Sequence, residues 1–228
     1  EVSFIMKTSL EKDEFDLQQT LKKSRVKETQ TPACPSISLY LFDPDILEGP
    51  ISEDETQAVL AEPAYWSFCW ASGQALAKYI LDHPEYVKYK TVVDFGSGSG
   101  VVAIAAALSG AKMVFACDID SQALDACSIN GKLNKVNITC VSNIAQIAED
   151  IDLIVSADVL YDKDNYALLD FFLSKANQVL LADSRVKVLP SEHYLQIECL
   201  EARTCPDLNE FEEFNQVRVY LSKKTQKR

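Results

Sequence analysis

The sequence predicts an α/β protein: one mostly parallel sheet with helices on its faces and an antiparallel strand pair at its C-terminal end. Three observations carry this. Short apolar runs alternate with helix-length segments between residues 91 and 182. A glycine-rich turn, "DFGSGSG" at 94–100, follows the first of those runs. Two further strand-like segments, "EHYLQIECLEA" and "FNQVRVYLSK", are separated only by the polar loop "RTCPDLNEFEE".

Taken in order, residues 7–24 place Leu10, Phe15, Leu17 and Leu21 among charges, the pattern of a surface helix. "CPSISLYLFDPD" alternates into a short strand over residues 36–42, ended by Pro44. "EPAYWSFCWASGQALAKYILDHPEY" reads as a turn into a helix from Trp66 to Leu81, stopped before Pro84, with Leu76, Ala77 and Ile80 on its apolar stripe. The regular part follows: strand 91–95, helix 100–109, strand 113–117, helix 121–134, strand 138–142, a short helix, strand 152–156, helix 163–175 and strand 178–182. Strands alternating with helices in this way pack as a parallel sheet covered on both faces. The last two segments should close its edge as an antiparallel pair. The expected division is an N-terminal extension with a short strand (1–60), one main domain (61–222) and a basic tail (223–228).

Composition narrows the function. Hydrophobic residues at 47% and charged ones at 25% describe a globular chain with a core. No uncharged apolar run approaches the roughly 18 residues of a membrane span, and "EVSFIMKTSLEKDEFD" is too acidic for a signal or transit peptide. No membrane partner is therefore expected, and the cytosol is the expected compartment. Seven cysteines without a C-x-x-C pair favour a reducing compartment, and with only His83 and His193 no metal centre is expected. A net charge of −12 argues against a nucleic-acid partner. Without the four basic residues of "SKKTQKR", 18 basic residues face 34 acidic ones, a body that attracts basic surfaces.

The turn Gly96, Gly98 and Gly100 lies at the carboxyl end of the first strand of the alternating unit, where open α/β sheets bind ligands. A dinucleotide site has the spacing G-x-G-x-x-G; here it is G-x-G-x-G. Asp118, 24 residues after Asp94 and ending the second strand, is placed to accept hydrogen bonds from ribose hydroxyls. That acid serves nicotinamide and S-adenosylmethionine (SAM) folds alike. The glycine spacing, the final hairpin and "DVLYD" after the fourth strand together fit the seven-stranded Rossmann-like SAM-dependent methyltransferase fold. SAM has no phosphate, and a loop flanked by Asp94 and Asp118 suits its sulfonium and amino group better than a pyrophosphate.

From "CPSISLYLFDPD" through "PAYWSFCWASGQAL", "VVDFGSGSGVVAI" and "ACDID" to "DVLY", the chain resembles the electron transfer flavoprotein β-subunit lysine methyltransferase family. The resemblance covers residues 35–190; beyond, only the hairpin architecture is shared. Asp158 to Tyr161 matches the D-x-x-Y element of the wider group. The resemblance implies that Trp70 and Gly73 line the methionine end of SAM, that Asp94, Gly96 and Gly98 shape the loop, that Asp118 holds ribose, and that Asn143 contacts adenine where many methyltransferases have Asp. It implies a protein substrate carrying an exposed lysine, the electron transfer flavoprotein β-subunit or a similar protein.

The acceptor chemistry can be argued separately. Methyl transfer from a sulfonium is an in-line displacement, so a catalyst has to align an uncharged lone pair with the methyl carbon. A free lysine, pKa about 10.4, must first lose a proton, which goes to water. Asp158 would then orient the amine and stabilise the ammonium that develops, and Tyr161 would give a hydroxyl and an aromatic wall. Bland readings stand beside these. Asp158 also suits a cap after the fourth strand, Tyr161 a packing aromatic, Asp162 and Asp164 helix caps, and Trp66 pure core. Asp183 and Arg185 suit either substrate contact or a surface turn. A small-molecule N-methyltransferase and a non-catalytic SAM-binding protein are the alternatives to a protein lysine N-methyltransferase.

Overall fold

The computed structural model describes residues 26–43, 64–208 and 210–223. The helix expected over 7–24, Pro44 and most of the basic tail lie outside them. Strands β3 (Thr91–Phe95), β4 (Met113–Cys117), β5 (Thr139–Val141), β6 (Ile151–Ala157), β7 (Ala176–Asp183), β8 (Tyr194–Glu201) and β9 (Gln216–Ser222) form one sheet, in the order β5-β4-β3-β6-β7-β9-β8. The first five are mutually parallel, and β9 runs antiparallel to both β7 and β8. The expected C-terminal hairpin is present, with β9 wedged beside β7 and β8 at the edge.

Alternation along the buried strands sends successive side chains to opposite faces. Val92, Leu153 and Val155 join the core under helices α1 (Ala71–Asp82) and α2 (Val101–Leu108), while Val93 and Ile154 join the core under α4 (Leu168–Lys175). Helix α2, "VVAIAAAL", has no polar residue and is buried over its first six positions, as a helix between two layers must be. Helix α3 (Ser121–Leu133) starts on Asp120, whose carboxylate accepts the Gln122 N–H at 2.9 Å.

Several boundaries differ from expectation for physical reasons. The helix foreseen from Trp66 begins at Ala71, because Tyr65–Ser67 is a 3-10 turn and Cys69 pairs with Cys205 in an antiparallel bridge. The helix foreseen over 163–175 opens as a 3-10 segment, Lys163–Ala167, capped by Asp162, before α4. The short strand expected at 36–42 is β2 (Cys34–Phe42), and it pairs with an unforeseen β1 (Val26–Thr31).

This hairpin is anchored to the sheet domain by amides. Asn130 on α3, fully buried, accepts the Tyr40 N–H at 2.8 Å and donates to the Ser99 carbonyl at 2.8 Å. One side chain thus ties β2 to the glycine turn. Asn134 accepts the Ser38 N–H and donates to the Ser38 carbonyl. Gln74 on α1, also fully buried, accepts the Ala33 N–H at 3.2 Å and donates to the carbonyls of Cys69 and Arg203. No helix among the described residues is long and apolar enough to cross a membrane.

Candidate active site

The glycine turn leaves β3 with Gly96, Gly98 and Gly100 all at positive φ (+72°, +49° and +83°), a conformation that L-residues other than glycine rarely adopt. Gly100 opens α2 without a side chain to cap it. Asp94 supplies the cap from the strand: its Oδ2 accepts the Ala103 N–H at 2.9 Å in the first turn of the helix. Only 1% of Asp94 is exposed. Burial pushes its carboxyl up to about 7, opposed by the Ala103 bond and reinforced by the Asp118 carboxylate.

Asp118, at the end of β4, holds the other side of the turn. Its Oδ2 accepts the Gly98 N–H and its Oδ1 the Asp120 N–H, both at 3.0 Å. Each carboxylate oxygen keeps a second lone pair for a further donor. Beside it Ile119 is 96% exposed, a large apolar side chain standing free at the rim that the sequence pattern did not single out.

Trp70, Gly73, Asp94, Gly96 and Gly98 line one cleft, with Ser97, Val101 and Ala157 among the other walls. Trp70 is fixed there by its indole N–H, which donates to the Tyr65 carbonyl at 2.9 Å, and by ring contacts with Tyr65 and Phe68 at about 6 Å. Trp66, by contrast, is fully buried core. Asn143 is not among the residues that line this cleft; it caps the 3-10 turn Ile144–Gln146 through an Oδ1 bond to the Ala145 N–H at 2.9 Å. Its Nδ2 carries no hydrogen bond among the described residues.

Three observations show what this cleft fits. In front of Gly98 a Cβ would meet nothing within 4 Å, so the turn borders open space. Among the described residues the buried Ser97 hydroxyl has no oxygen or nitrogen partner, and the weakly accepting Cys127 sulfur stands near it. Finally, the acidic groups at the turn are Asp94 and Asp118, with no Lys or Arg among the lining residues. Such a cleft suits a ligand with hydroxyls and positive charge, as SAM has, and not a pyrophosphate.

Asp158 follows β6 in the left-handed region (φ +52°), and its N–H is held by the Ala182 carbonyl at 3.1 Å. All its side-chain hydrogen bonds among the described residues fall on Oδ1. Ser72 Oγ of α1 donates at 2.6 Å, Ser184 Oγ at 2.9 Å and the Ser184 N–H at 3.2 Å. Neither serine stands out in the sequence, where Asp183 and Arg185 are the residues of this loop with the charge to contact a substrate. The next residue, Val159, touches the glycine turn: a Cβ on Gly96 would lie 2.7 Å from Val159 Cγ1. Tyr161 is 69% exposed and makes no side-chain hydrogen bond among the described residues.

Asp183 ends β7 fully buried. Its Oδ1 accepts the N–H groups of Arg185 and Val186 at 2.8 and 2.6 Å, which fixes the turn that carries Ser184. Among the described residues its Oδ2 has no hydrogen-bond partner. Burial pushes this carboxyl up to about 6, the Val186 bond opposing and Asp158 adding. Arg185 points away, pairing with Glu210 at 2.7 Å and stacking on Phe214.

The sheet order, the glycine turn and the acid at the end of β4 define a class I SAM-dependent methyltransferase fold. A ribosomal protein L11 methylase from Lactobacillus delbrueckii subsp. bulgaricus superposes with a TM-score of 0.52 at 25% identity, covering 68% of this chain and 79% of that one. The SAM-bound magnesium protoporphyrin IX methyltransferase of Synechocystis has the same fold, with a TM-score of 0.51 at 14% identity, over 78% of this chain and 86% of its own.

Within that class the chain is similar to the electron transfer flavoprotein beta subunit lysine methyltransferases. It is 41% identical to the human protein over 127 residues, 52% of this chain and 48% of the relative. It is 29% identical over 184 residues to the Caenorhabditis elegans homolog, 71% of this chain and 74% of the relative. A family model described as ribosomal protein L11 methyltransferase (PrmA) matches residues 74–163. The chain spans about half the length of the vertebrate relatives it matches.

Proposed function

We propose that this chain carries the catalytic domain of a SAM-dependent protein lysine N-methyltransferase, acting on the electron transfer flavoprotein β-subunit or a similar protein, in the cytosol. The observation that carries the reading is the contact between the two halves of the site: Val159, inside D-x-x-Y, packs on the glycine turn at Gly96, while Ala157 walls the cleft that the turn borders. Asp158 lies between these two residues in the chain, and its carboxylate accepts from Ser72, the neighbour of the cleft-lining Gly73, which supports a place for it beside the cleft. The similarity to lysine methyltransferases supports the choice of acceptor.

In this reading Asp118 takes the ribose hydroxyls on its spare lone pairs, Asn143 the adenine edge, and Trp70, Gly73, Asp94 and the turn the methionine end. Bound there, SAM supplies an electrophilic methyl on a cationic sulfur. Asp158 receives the lysine amine after its proton has gone to water, aims the lone pair, and balances the positive charge the nitrogen acquires. Tyr161, largely exposed, offers a hydroxyl and a ring face to the arriving chain in this reading.

Incubation with labelled SAM and purified electron transfer flavoprotein checks this. Label on a lysine of the β-subunit, lost in Asp158→Asn with SAM affinity kept, is the expected result. Label confined to small molecules or RNA would reject it.

A further inference from the structure

The carboxylate of Asp158 is gripped from two elements distant in sequence, and the grip is one-sided. Ser72 comes from the first turn of α1, one residue from the cleft-lining Gly73. Ser184 comes from the turn after β7, which Asp183 holds by accepting two backbone N–H groups. Both serines are buried, and both hydroxyls end on Oδ1. With a third bond from the Ser184 N–H, that oxygen already has more donors than a carboxylate oxygen has lone pairs. Oδ2 is left as the oxygen with capacity for an incoming donor.

We propose that Ser72 and Ser184 are positioning residues that lock the Asp158 carboxylate through Oδ1 and so reserve Oδ2 for the substrate amine. This deepens the lysine methyltransferase reading and rests on it for the identity of the amine. A carboxylate on a freely rotating side chain would offer either oxygen from several rotamers; one fixed by two hydroxyls presents a single acceptor in a single direction. The left-handed backbone at Asp158 adds to this, since it sets the Cα–Cβ direction in a conformation that ordinary residues seldom take.

The test compares Ser72→Ala, Ser184→Ala, the double variant, Ser72→Thr, Ser184→Thr and Asp158→Asn. It uses the electron transfer flavoprotein β-subunit as acceptor, together with a crystal structure of the double alanine variant. Each alanine variant should lower kcat about ten-fold with the SAM Kd unchanged, as loss of a hydrogen bond to a charged group does. The threonine variants, which keep the hydroxyl, should recover most of it. In an Asp158→Asn background the alanine changes should add nothing further, because the groups act as one unit. The double variant should show Asp158 in more than one rotamer. Serine effects that add to the Asp158→Asn loss, wild-type kcat in the double variant, or an unmoved Asp158 side chain would overturn the proposal. Wild-type kcat in Asp158→Asn with a reoriented Asp158 in the double variant would instead overturn the assigned role of Asp158 and leave the positioning intact.

Discussion

Gly96 and Val159 touch so closely that a single methyl group on the glycine would lie 2.7 Å from the valine Cγ1. The contact joins the glycine turn to the D-x-x-Y segment, and it rests on a residue at φ +72°. Gly96→Ala should therefore cost about 1–3 kcal/mol of stability, from backbone strain and overlap together. It should also weaken SAM binding. Adding Val159→Ala relieves the overlap and leaves the strain, so the double variant should recover part of the loss. Denaturant midpoints and calorimetric SAM titrations measure both, and wild-type stability in Gly96→Ala would show that the turn has room to spare.

Asp94 predicts two opposite pH dependences. Its carboxyl is raised from 3.8 to about 7 in the fold, so between those values the folded protein holds a proton that the unfolded chain has released. Its contribution to stability is complete below the unfolded value and is lost as pH rises through about 7. Asp183, raised to about 6, acts in the same sense. The ligand-free protein should thus melt higher at about pH 5.5 than at about pH 8, and Asp94→Asn should reduce that difference. Affinity for cationic SAM needs the ionised carboxylate and should fall over the same descent in pH. A melting temperature that rises from acid to neutral pH through the same range would contradict the first part.

Asn130 satisfies a buried N–H and a buried carbonyl belonging to different layers, Tyr40 on β2 and Ser99 in the glycine turn. Asn130→Ala strands both and should destabilise by about 2–4 kcal/mol. Amide hydrogen exchange should quicken at Tyr40 and around Ser99 together. Quickening at Tyr40 alone would mean that the turn does not depend on the hairpin's anchor.

Much of this was legible in the chain because buried parallel strands carry their own signature. β3, β4 and β6 are apolar runs bounded by turn residues, and helix-length segments between them leave few topologies. The Gly96, Gly98 and Gly100 turn and the acids at 94 and 118 could be read for similar reasons, since they sit at strand ends that the alternation places. β1 was missed because "VKETQT" faces solvent on alternate residues and carries little apolar signal; its pairing with β2 supplies what its composition lacks. The insertion of β9 between β7 and β8 follows from long-range pairing that a linear pattern does not encode. Ser72 and Ser184 were invisible for a related reason. Serine is common in helices and turns, and only the folded chain brings these two, 112 positions apart, onto one oxygen.

Gln74 shows how the chain around the start of α1 is held together. Three stretches of chain, the tip of the first hairpin, the aromatic approach at Cys69 and the long connection at Arg203, all end on its one amide. Connections around a sheet's rim usually drift independently, each free to lengthen as partners change. Here they are stitched at a common point, so this part of the molecule can exchange the side chains that face outward far more easily than it can take inserted residues in the threads that meet there.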